Sequence, residues 1–92
     1  MAIVGYARVS THEQNLDVQL NALNKEGCNI IFQEKKSGKD IEREELKKLL
    51  AYLRKGDVVV VYKLDRLGRS LRDILSLVER FIQQGIVLNI TK

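Results

Sequence analysis

Tyr6, Arg8 and Ser10 occupy alternate positions near the start of the chain, within the segment Tyr6-Ala7-Arg8-Val9-Ser10. Alternate residues of a β-strand point to the same face, so a strand here would place the three side chains together. An arginine on an inner strand is energetically unfavourable unless it is paired or reaches a ligand. A serine hydroxyl beside a guanidinium group is suited to attack on a phosphoryl group, because the cation stabilises the negative charge that develops.

A second group of charged residues, Asp65-Arg66-Leu67-Gly68-Arg69, directly precedes a predicted helix. The amide groups and the dipole at a helix N-terminus favour a bound anion. Two guanidinium groups added there would hold a phosphate through paired hydrogen bonds. Further polar side chains that could join the two groups are Gln14, Gln19, Ser37 and Arg43.

Metal and nucleotide chemistry find little support in the residue pattern. The chain has one cysteine, Cys28, one histidine, His12, and no carboxylate pair at a metal-binding spacing. It contains neither a GxxxxGK[ST] loop nor a GxGxxG turn. His12 lies close to Ser10, but no acid is obviously placed to orient it as a general base. Cys28 is predicted to open a strand as a small buried hydrophobic side chain.

Positioning these groups requires an alternation of strands and helices. Apolar segments rich in β-formers predict strands over 2–9, 28–34, 57–62 and 86–90, and the third lacks alternation, as in a strand buried on both faces. Leucine-rich helical patterns cover 14–26 and 42–55, and a third helix follows Ser70, whose spacing from Asp73 is that of a capping box. The predicted core face of the third helix comprises Leu71, Ile74, Leu75, Val78, Phe81 and Ile82.

The order β-α-β-α-β-α-β predicts the α/β class: one three-layer α/β/α domain over residues 1–92 with a mainly parallel four-stranded sheet. Ligands of such sheets bind beyond the carboxyl ends of the strands. Here those ends are Ser10, the segment 35–37 at the start of a polar loop, and the segment 63–69. The candidate residues are therefore expected to converge on one edge.

Charge is distributed unevenly along the chain. The formal net charge is +4, with −2 over residues 1–34 and +6 over residues 35–92, so nucleic acid is a candidate partner for the second part. The single cysteine excludes an internal disulfide and fits a reducing cytoplasm. The longest apolar run, Val58–Tyr62, is far shorter than the ~20 residues that span a membrane, and no signal peptide is recognisable. We therefore expect a cytoplasmic protein.

Three ordered segments resemble the serine recombinases, the resolvase and invertase family. They are GYARVSTHEQNLDVQL (5–20), KSGKDIEREEL (36–46) and YKLDRLGRS (62–70). The resemblance covers the core of the family's catalytic domain and implies an enzyme that cuts and rejoins double-stranded DNA at specific sites. Ser10 would attack a DNA phosphate and form a 5′-phosphoserine link with a free 3′ hydroxyl.

The resemblance also implies roles for individual residues. Members of the family work without a metal, a nucleotide or another cofactor. Lys36, Lys39 and Arg72 are expected to contact the DNA backbone. The matching catalytic positions are Arg8, Arg43, Asp65, Arg66 and Arg69, and the matching supporting positions are Tyr6, Gln14, Gln19 and Ser37.

Compared with the family, the chain lacks the long helix that pairs subunits and the helix-turn-helix that reads DNA. We therefore expect a truncated catalytic domain that is a monomer or a weak dimer, whereas the full-length parent would form dimers or tetramers. A competing interpretation is a non-catalytic module that binds DNA or pairs with a full-length recombinase. A third is a flavodoxin-like or receiver-like domain, although the segment after the first strand supplies neither an acidic pocket nor a phosphate-binding turn.

Some of the individual assignments have structural alternatives. Asp65 could orient an arginine rather than transfer a proton. Arg43 lies among three glutamates and could form an ordinary surface ion pair worth less than ~1 kcal/mol. Tyr6 could be a core residue.

Overall fold

The computed structural model describes residues 2–10, 16–36, 44–64, 67 and 70–91. Within these ranges, only the backbone is described for residues 9, 10, 16, 35 and 36. The strands are β1 (Ile3–Ser10), β2 (Ile30–Lys36), β3 (Val58–Val61) and β4 (Val87–Ile90), and the helices are α1 (Leu16–Lys25), α2 (Glu44–Tyr52) and α3 (Leu71–Gln83). The alternating order agrees with the sequence prediction.

The four strands form one sheet in the order β2-β1-β3-β4, and every neighbouring pair is parallel. Tyr6 is in register with Val61 on one side, and Ser10 with Lys36 on the other. From β1 the chain proceeds to β2 at one edge of the sheet, whereas from β3 it proceeds to β4 at the opposite edge. The boundary between β1 and β3 is therefore the topological switch point, where such sheets bind ligands.

Helices cover both faces of the sheet, which confirms the predicted three layers. The larger core joins Val4, Tyr6, Val59 and Val61 to side chains of α2 and α3. On the opposite face, Ala7 and Val60 pack against Leu23 of α1. Gly5 permits this close approach, because a Cβ atom there would lie 3.1 Å from the Sγ atom of Cys28.

The second strand is shifted relative to the prediction. β2 begins at Ile30 and continues through Lys36, so Lys35 and Lys36 extend the parallel ladder instead of opening the loop. Cys28 precedes the strand because Asn29 already turns the chain, accepting a hydrogen bond from the amide of Ile3 at 2.8 Å. Cys28 is only partly buried; burial raises the pKa of its thiol, and the nearby Glu26 raises it further.

The turn between α2 and β3 is organised by a buried carboxylate. Asp57 accepts hydrogen bonds from the amides of Ala2 and Arg54, each at 2.9 Å. These two bonds lower the pKa of Asp57, and they join the start of β1 to the turn. Gly56 adopts a φ of +92°, a conformation that side chains disfavour. As a result α2 ends at Tyr52 rather than residue 55, and β3 begins at Val58.

The third helix begins as predicted but buries only part of the predicted core face. Ser70 is its N-cap, and the Ser70 hydroxyl accepts a hydrogen bond from the amide of Asp73 at 3.2 Å. Of the six residues predicted for its core face, Ile74 and Phe81 are buried and Val78 packs against the core. The prediction was wrong for Leu71, Leu75 and Ile82, which are 70%, 57% and 71% exposed. The buried residues are Ile74, Leu77 and Phe81, because the sheet contacts a narrower part of the helix than the apolar pattern covers.

Within the part of the chain that the structure describes, no helix is both long enough and apolar enough to cross a membrane.

Candidate active site

The switch point brings the first motif close to the residues that directly follow β3. Tyr6 lies beside the last residue of β3, and β1 continues from there to Ser10, at the carboxyl edge. After β3, the chain continues through Tyr62 and Lys63 at the same edge. The Nζ atom of Lys63 lies 5.7 Å from the centre of the Tyr62 ring, so a cation is held near this edge.

Arg8 lies on the same face of β1 as Tyr6. It is half-buried, and its Nη1 atom is shielded from solvent. In the sheet register Arg8 is next to Glu34, and Ser10 is next to Lys36. The strand alternation therefore puts positions 6, 8 and 10 on one face, as predicted, with Ser10 as the last residue of β1.

Tyr6 is completely buried, and its hydroxyl donates a hydrogen bond to the Oε1 atom of Glu34 at 3.2 Å. It therefore belongs to the core and also makes a polar contact next to Arg8. The sequence analysis offered Tyr6 as a supporting residue of the site or as a core residue, and its position in the structure is compatible with both.

Glu34 is a site residue that the sequence analysis missed. Its buried carboxylate also accepts hydrogen bonds from the amides of Leu46 at 3.2 Å and Glu45 at 3.3 Å. These amides belong to the first turn of α2, where N–H groups lack partners within the helix and attract a negative charge. Glu34 therefore holds the first turn of α2, the helix that begins directly after Arg43 in the sequence. The sequence did contain a signal for this role, because Glu34 is two residues after Phe32 and therefore lies on the same inward-facing side of β2.

Gln19 of α1 is completely buried beneath the carboxyl end of β1. Its Nε2 atom donates a hydrogen bond to the carbonyl oxygen of Arg8 at 3.3 Å. Its Oε1 atom is buried and has no hydrogen-bond partner among the described residues. A buried polar atom without a partner costs about 1–3 kcal/mol, so this oxygen is ready to accept a hydrogen bond.

Several predicted site residues lie outside the described residues. Leu67, which stands in the sequence between Arg66 and Gly68, is completely buried, and its amide donates to the carbonyl oxygen of Leu64 at 3.0 Å. Arg72 is exposed in the first turn of α3. The predicted residues that lie outside are Gln14, Ser37, Lys39, Arg43, Asp65, Arg66 and Arg69, and for Ser10 and Lys36 only the backbone is described. His12, which was not assigned to the site, also lies outside.

The fold and the candidate site together define a parallel α/β domain with a serine and an arginine at the switch point of its sheet. Residues 3–92 match the family described as "Resolvase, N terminal domain", and the chain belongs to this family. The flavodoxin-like and receiver-like alternatives are thereby excluded.

Similar proteins agree with this assignment. The chain is 55% identical over 84 residues to a DNA-invertase of Enterobacteria phage P7, covering 91% of the chain and 45% of that protein. It is 51% identical over 84 residues to the serine recombinase gin of Escherichia phage Mu, covering 91% and 44%. It is 47% identical over 90 residues to the transposon Tn3 resolvase of Escherichia coli, covering 96% and 49%. The chain thus spans about half the length of the curated relatives that it matches.

Solved structures show the same fold. The catalytic domain of ISC1926 TnpA, an IS607-like serine recombinase, matches 99% of the chain and 70% of its own with a TM-score of 0.79 at 24% identity. The catalytic domain of IS1535 TnpA, also an IS607-like serine recombinase, matches 97% and 70% with a TM-score of 0.74 at 26% identity.

Proposed function

We propose that this chain performs the DNA cleavage and rejoining steps of site-specific recombination, with Ser10 as the nucleophile. The observation that carries the proposal is the arrangement at the β1–β3 switch point in a member of the resolvase family. There β1 ends at Ser10, Arg8 lies two residues before it, and Gln19 holds the backbone of Arg8.

In the proposed cleavage step, the Oγ atom of Ser10 attacks a DNA phosphorus atom. The Oγ–P bond forms as the bond from phosphorus to the 3′ oxygen breaks. The serine proton passes to solvent water, and the departing 3′ oxygen takes a proton from solvent water to become a hydroxyl. The product is a 5′-phosphoserine link, which the 3′ hydroxyl of another strand end attacks in the reverse sense. The phosphoserine ester replaces the phosphodiester bond, so rejoining needs no other energy source.

Arginines supply the charge that this reaction needs. The phosphoryl group gains negative charge in its five-coordinate state, and each pre-placed donor contributes on the order of 3 kcal/mol. We assign this role to Arg8 and, from the family motifs, to Arg43, Arg66 and Arg69. Asp65 would hold one of the arginines in place.

The remaining predicted residues support these groups or bind DNA. Tyr6 would act through Glu34, and Gln19 through the backbone of Arg8. Gln14 and Ser37 are assigned supporting roles from the family motifs alone. Lys36, Lys39 and Arg72 would contact phosphates of double-stranded DNA, and the intact recombinase would act as a homo-oligomer.

The test is a fusion in which residues 1–92 replace the matching part of the phage P7 DNA-invertase. The fusion is incubated with a nicked form of the site that this invertase inverts, and covalent protein–DNA product is measured on denaturing gels. Ser10→Ala should abolish the covalent product and leave DNA binding intact. The matched control is Ser76→Ala, an exposed serine on α3, which should retain the product.

Two results would contradict the proposal. Covalent product at the ordinary level in Ser10→Ala would show that another residue is the nucleophile. Normal DNA binding by the unaltered fusion with no covalent product would favour the non-catalytic module.

A further inference from the structure

Lys63 places a cation at the carboxyl edge of the sheet, two residues beyond the end of β3. Its Nζ atom lies 5.7 Å from the centre of the Tyr62 ring, and both residues are partly buried. No carboxylate among the described residues forms a salt bridge with Lys63. The face of an aromatic ring attracts a lysine without neutralising it, whereas a carboxylate would cancel its charge. Lys63 is therefore a partly ordered cation whose charge remains available to an anion.

The chain directly before Lys63 is fixed by the residue that follows β4. The amide of Thr91 donates a hydrogen bond to the carbonyl oxygen of Val61 at 3.0 Å, and the Thr91 hydroxyl donates one to the carbonyl oxygen of Tyr62 at 3.2 Å. One residue thus holds two consecutive carbonyl groups at the end of β3. Thr91 therefore determines where Lys63 leaves the sheet.

The chain after Lys63 is attached to the core. Leu67 is completely buried in the larger core, and its amide donates a hydrogen bond to the carbonyl oxygen of Leu64 at 3.0 Å. Lys63 lies between this attachment and the one that Thr91 makes. Its backbone is therefore held at the edge from both sides, so less conformational entropy is lost when the residue binds a ligand.

The sheet register places Lys63 close to the level of Ser10. Tyr6 and Val61 are paired in the register. From Tyr6 to Ser10, β1 advances about 13 Å, and from Val61 to Lys63 the chain advances at most about 7 Å. The two strands are about 4.8 Å apart, and the flexible four-carbon stem of the lysine can bridge much of the remaining difference. A DNA strand that presents one phosphate to Ser10 would therefore have a neighbouring phosphate within reach of Lys63.

We propose that Lys63 binds the DNA phosphate that neighbours the one attacked by Ser10, and that Tyr62 and Thr91 are positioning residues for it. The inference rests on the proposed function, because Ser10 defines which phosphate is attacked. A neighbouring phosphate keeps its charge throughout the reaction, so its contact stabilises the bound DNA and the five-coordinate state equally. Loss of Lys63 should therefore weaken binding but leave the cleavage rate at saturating DNA nearly unchanged, unlike loss of a catalytic arginine.

A cycle of substitutions in the protein and in the DNA tests this contact. The phage P7 invertase fusion, with and without Lys63→Gln, is titrated with duplexes of the inversion site. In each duplex one phosphate beside the cut is replaced by an uncharged methylphosphonate. Gel shifts give the dissociation constant, and denaturing gels give the rate of covalent product at saturating DNA.

On the unmodified site, Lys63→Gln should raise the dissociation constant about fivefold at low salt, and it should reduce the slope of the salt dependence by about 0.9. With a methylphosphonate at the contacted position, Lys63→Gln should have no further effect, because the charge that Lys63 binds is absent. Lys63→Arg keeps the charge and should retain most of the affinity. The matched control is Lys25→Gln, an exposed lysine at the end of α1, which should leave binding nearly unchanged.

The positioning residues are tested by variants that leave Lys63 in place. Thr91→Val removes the hydroxyl donor, and Tyr62→Leu removes the ring. Each should weaken binding to the unmodified site about twofold, less than Lys63→Gln does, and neither should weaken it further when Lys63→Gln is already present. Tyr62→Phe keeps the ring and should bind as the unaltered fusion does. Circular dichroism verifies that every variant folds.

Three results would overturn the inference. They are unchanged binding in Lys63→Gln, an effect of Lys63→Gln that persists with every methylphosphonate, and positioning variants that weaken binding equally without Lys63. Failure of the proposed function gives a different result, in which the unaltered fusion binds the site but forms no covalent product. The dissociation constants still measure the Lys63 contact in that case, because they do not depend on cleavage.

Discussion

Glu34 joins three elements through one carboxylate. It extends from β2, receives the Tyr6 hydroxyl from β1, and receives two amides from the first turn of α2. No apolar side chain could replace it, because the amides of Glu45 and Leu46 would then lose their acceptor. In the proposed reaction its effect would be indirect, because it holds the first turn of α2.

Replacing Glu34 with Gln should therefore destabilise the protein. The side-chain NH2 group would face an amide donor, and a buried donor without an acceptor costs about 1–3 kcal/mol. Tyr6→Phe, which removes one of the three donors, should cost about 1 kcal/mol. Urea unfolding measures both variants, with Glu44→Gln, an exposed acid in the same turn of α2, as the control. Equal stability of the Glu34 and Glu44 variants would show that the buried contacts contribute nothing.

Arg66 and Arg69, which precede α3 in the sequence, can also be tested by single substitutions. Arg66→Ala and Arg69→Ala should each slow cleavage by roughly 10²–10³, the usual loss when one charge-stabilising donor is removed. Arg69→Lys should restore only part of the rate, because a lysine cannot make the planar paired contact. Single-turnover cleavage by the phage invertase fusion measures these rates. An unchanged rate in a folded Ala variant would identify that arginine as an ordinary surface charge.

At the scale of the elements, the turn between α2 and β3 stabilises the amino ends of the strands. The candidate site lies at the other end of the sheet, at the carboxyl ends. The Asp57 carboxylate accepts one hydrogen bond from the amide of Arg54 within this turn and one from the amide of Ala2, the residue directly before β1. Because β1 is central and carries Arg8 and Ser10, a contact at its beginning also stabilises the strand that ends at the site.

The lowered pKa of Asp57 predicts the acid dependence of stability. The backbone amides of Ala2 and Arg54 hold its folded pKa below the ordinary value of 3.8. Its contribution to the free energy of unfolding is therefore fully present above the unfolded pKa, and it is lost as the pH falls through the folded pKa. Asp57→Asn should lower stability at neutral pH and flatten the decline in acid. Urea unfolding at several values between about pH 2 and 6 measures this, and parallel curves for the two proteins would contradict it.

The helices differ in how well their apolar patterns predict burial. In α2, Leu46 and Leu49 are buried and Leu50 packs against the same core, as the pattern predicts. In α3, apolar residues cover more of the helix surface than the sheet contacts, so some of them are buried and others are exposed. The apolar pattern predicts a helix in both cases, but it does not predict how many neighbours the helix has.

At the scale of the whole molecule, the uneven charge predicts how the chain would bind DNA. The +6 of residues 35–92 favours contact with phosphates, and such contacts carry no information about sequence. We therefore expect the 92-residue chain to bind duplex DNA through electrostatics, with little preference among sequences.

Binding should weaken steeply with salt, because each neutralised phosphate releases counterions. The logarithm of the association constant should fall against the logarithm of salt concentration with a slope near −0.9 per phosphate. Gel shifts with the phage inversion site and a scrambled duplex, at two salt concentrations, measure both properties. A preference above about tenfold for the true site at both concentrations would show that this domain reads base sequence.

The sequence by itself determined the order of the elements, the α/β class and the family. These depend on local patterns: the apolar run of β3, the leucines of α2, the glycine after each helix, and three motifs whose residues are contiguous. Such patterns are visible because the periods of strands and helices relate residues only two to four positions apart. The alternation of Tyr6, Arg8 and Ser10 is predictable for the same reason.

The tertiary structure alone decided which distant residues meet. The sheet order β2-β1-β3-β4 puts the switch point between β1 and β3, and the packing of α2 brings two amides of its first turn to Glu34. The contact of Asp57 with Ala2 joins residues 55 positions apart, and the exposure of Leu71, Leu75 and Ile82 depends on which side of α3 packs against the sheet. No local period relates these residues, because their contacts arise only when separate elements pack against one sheet.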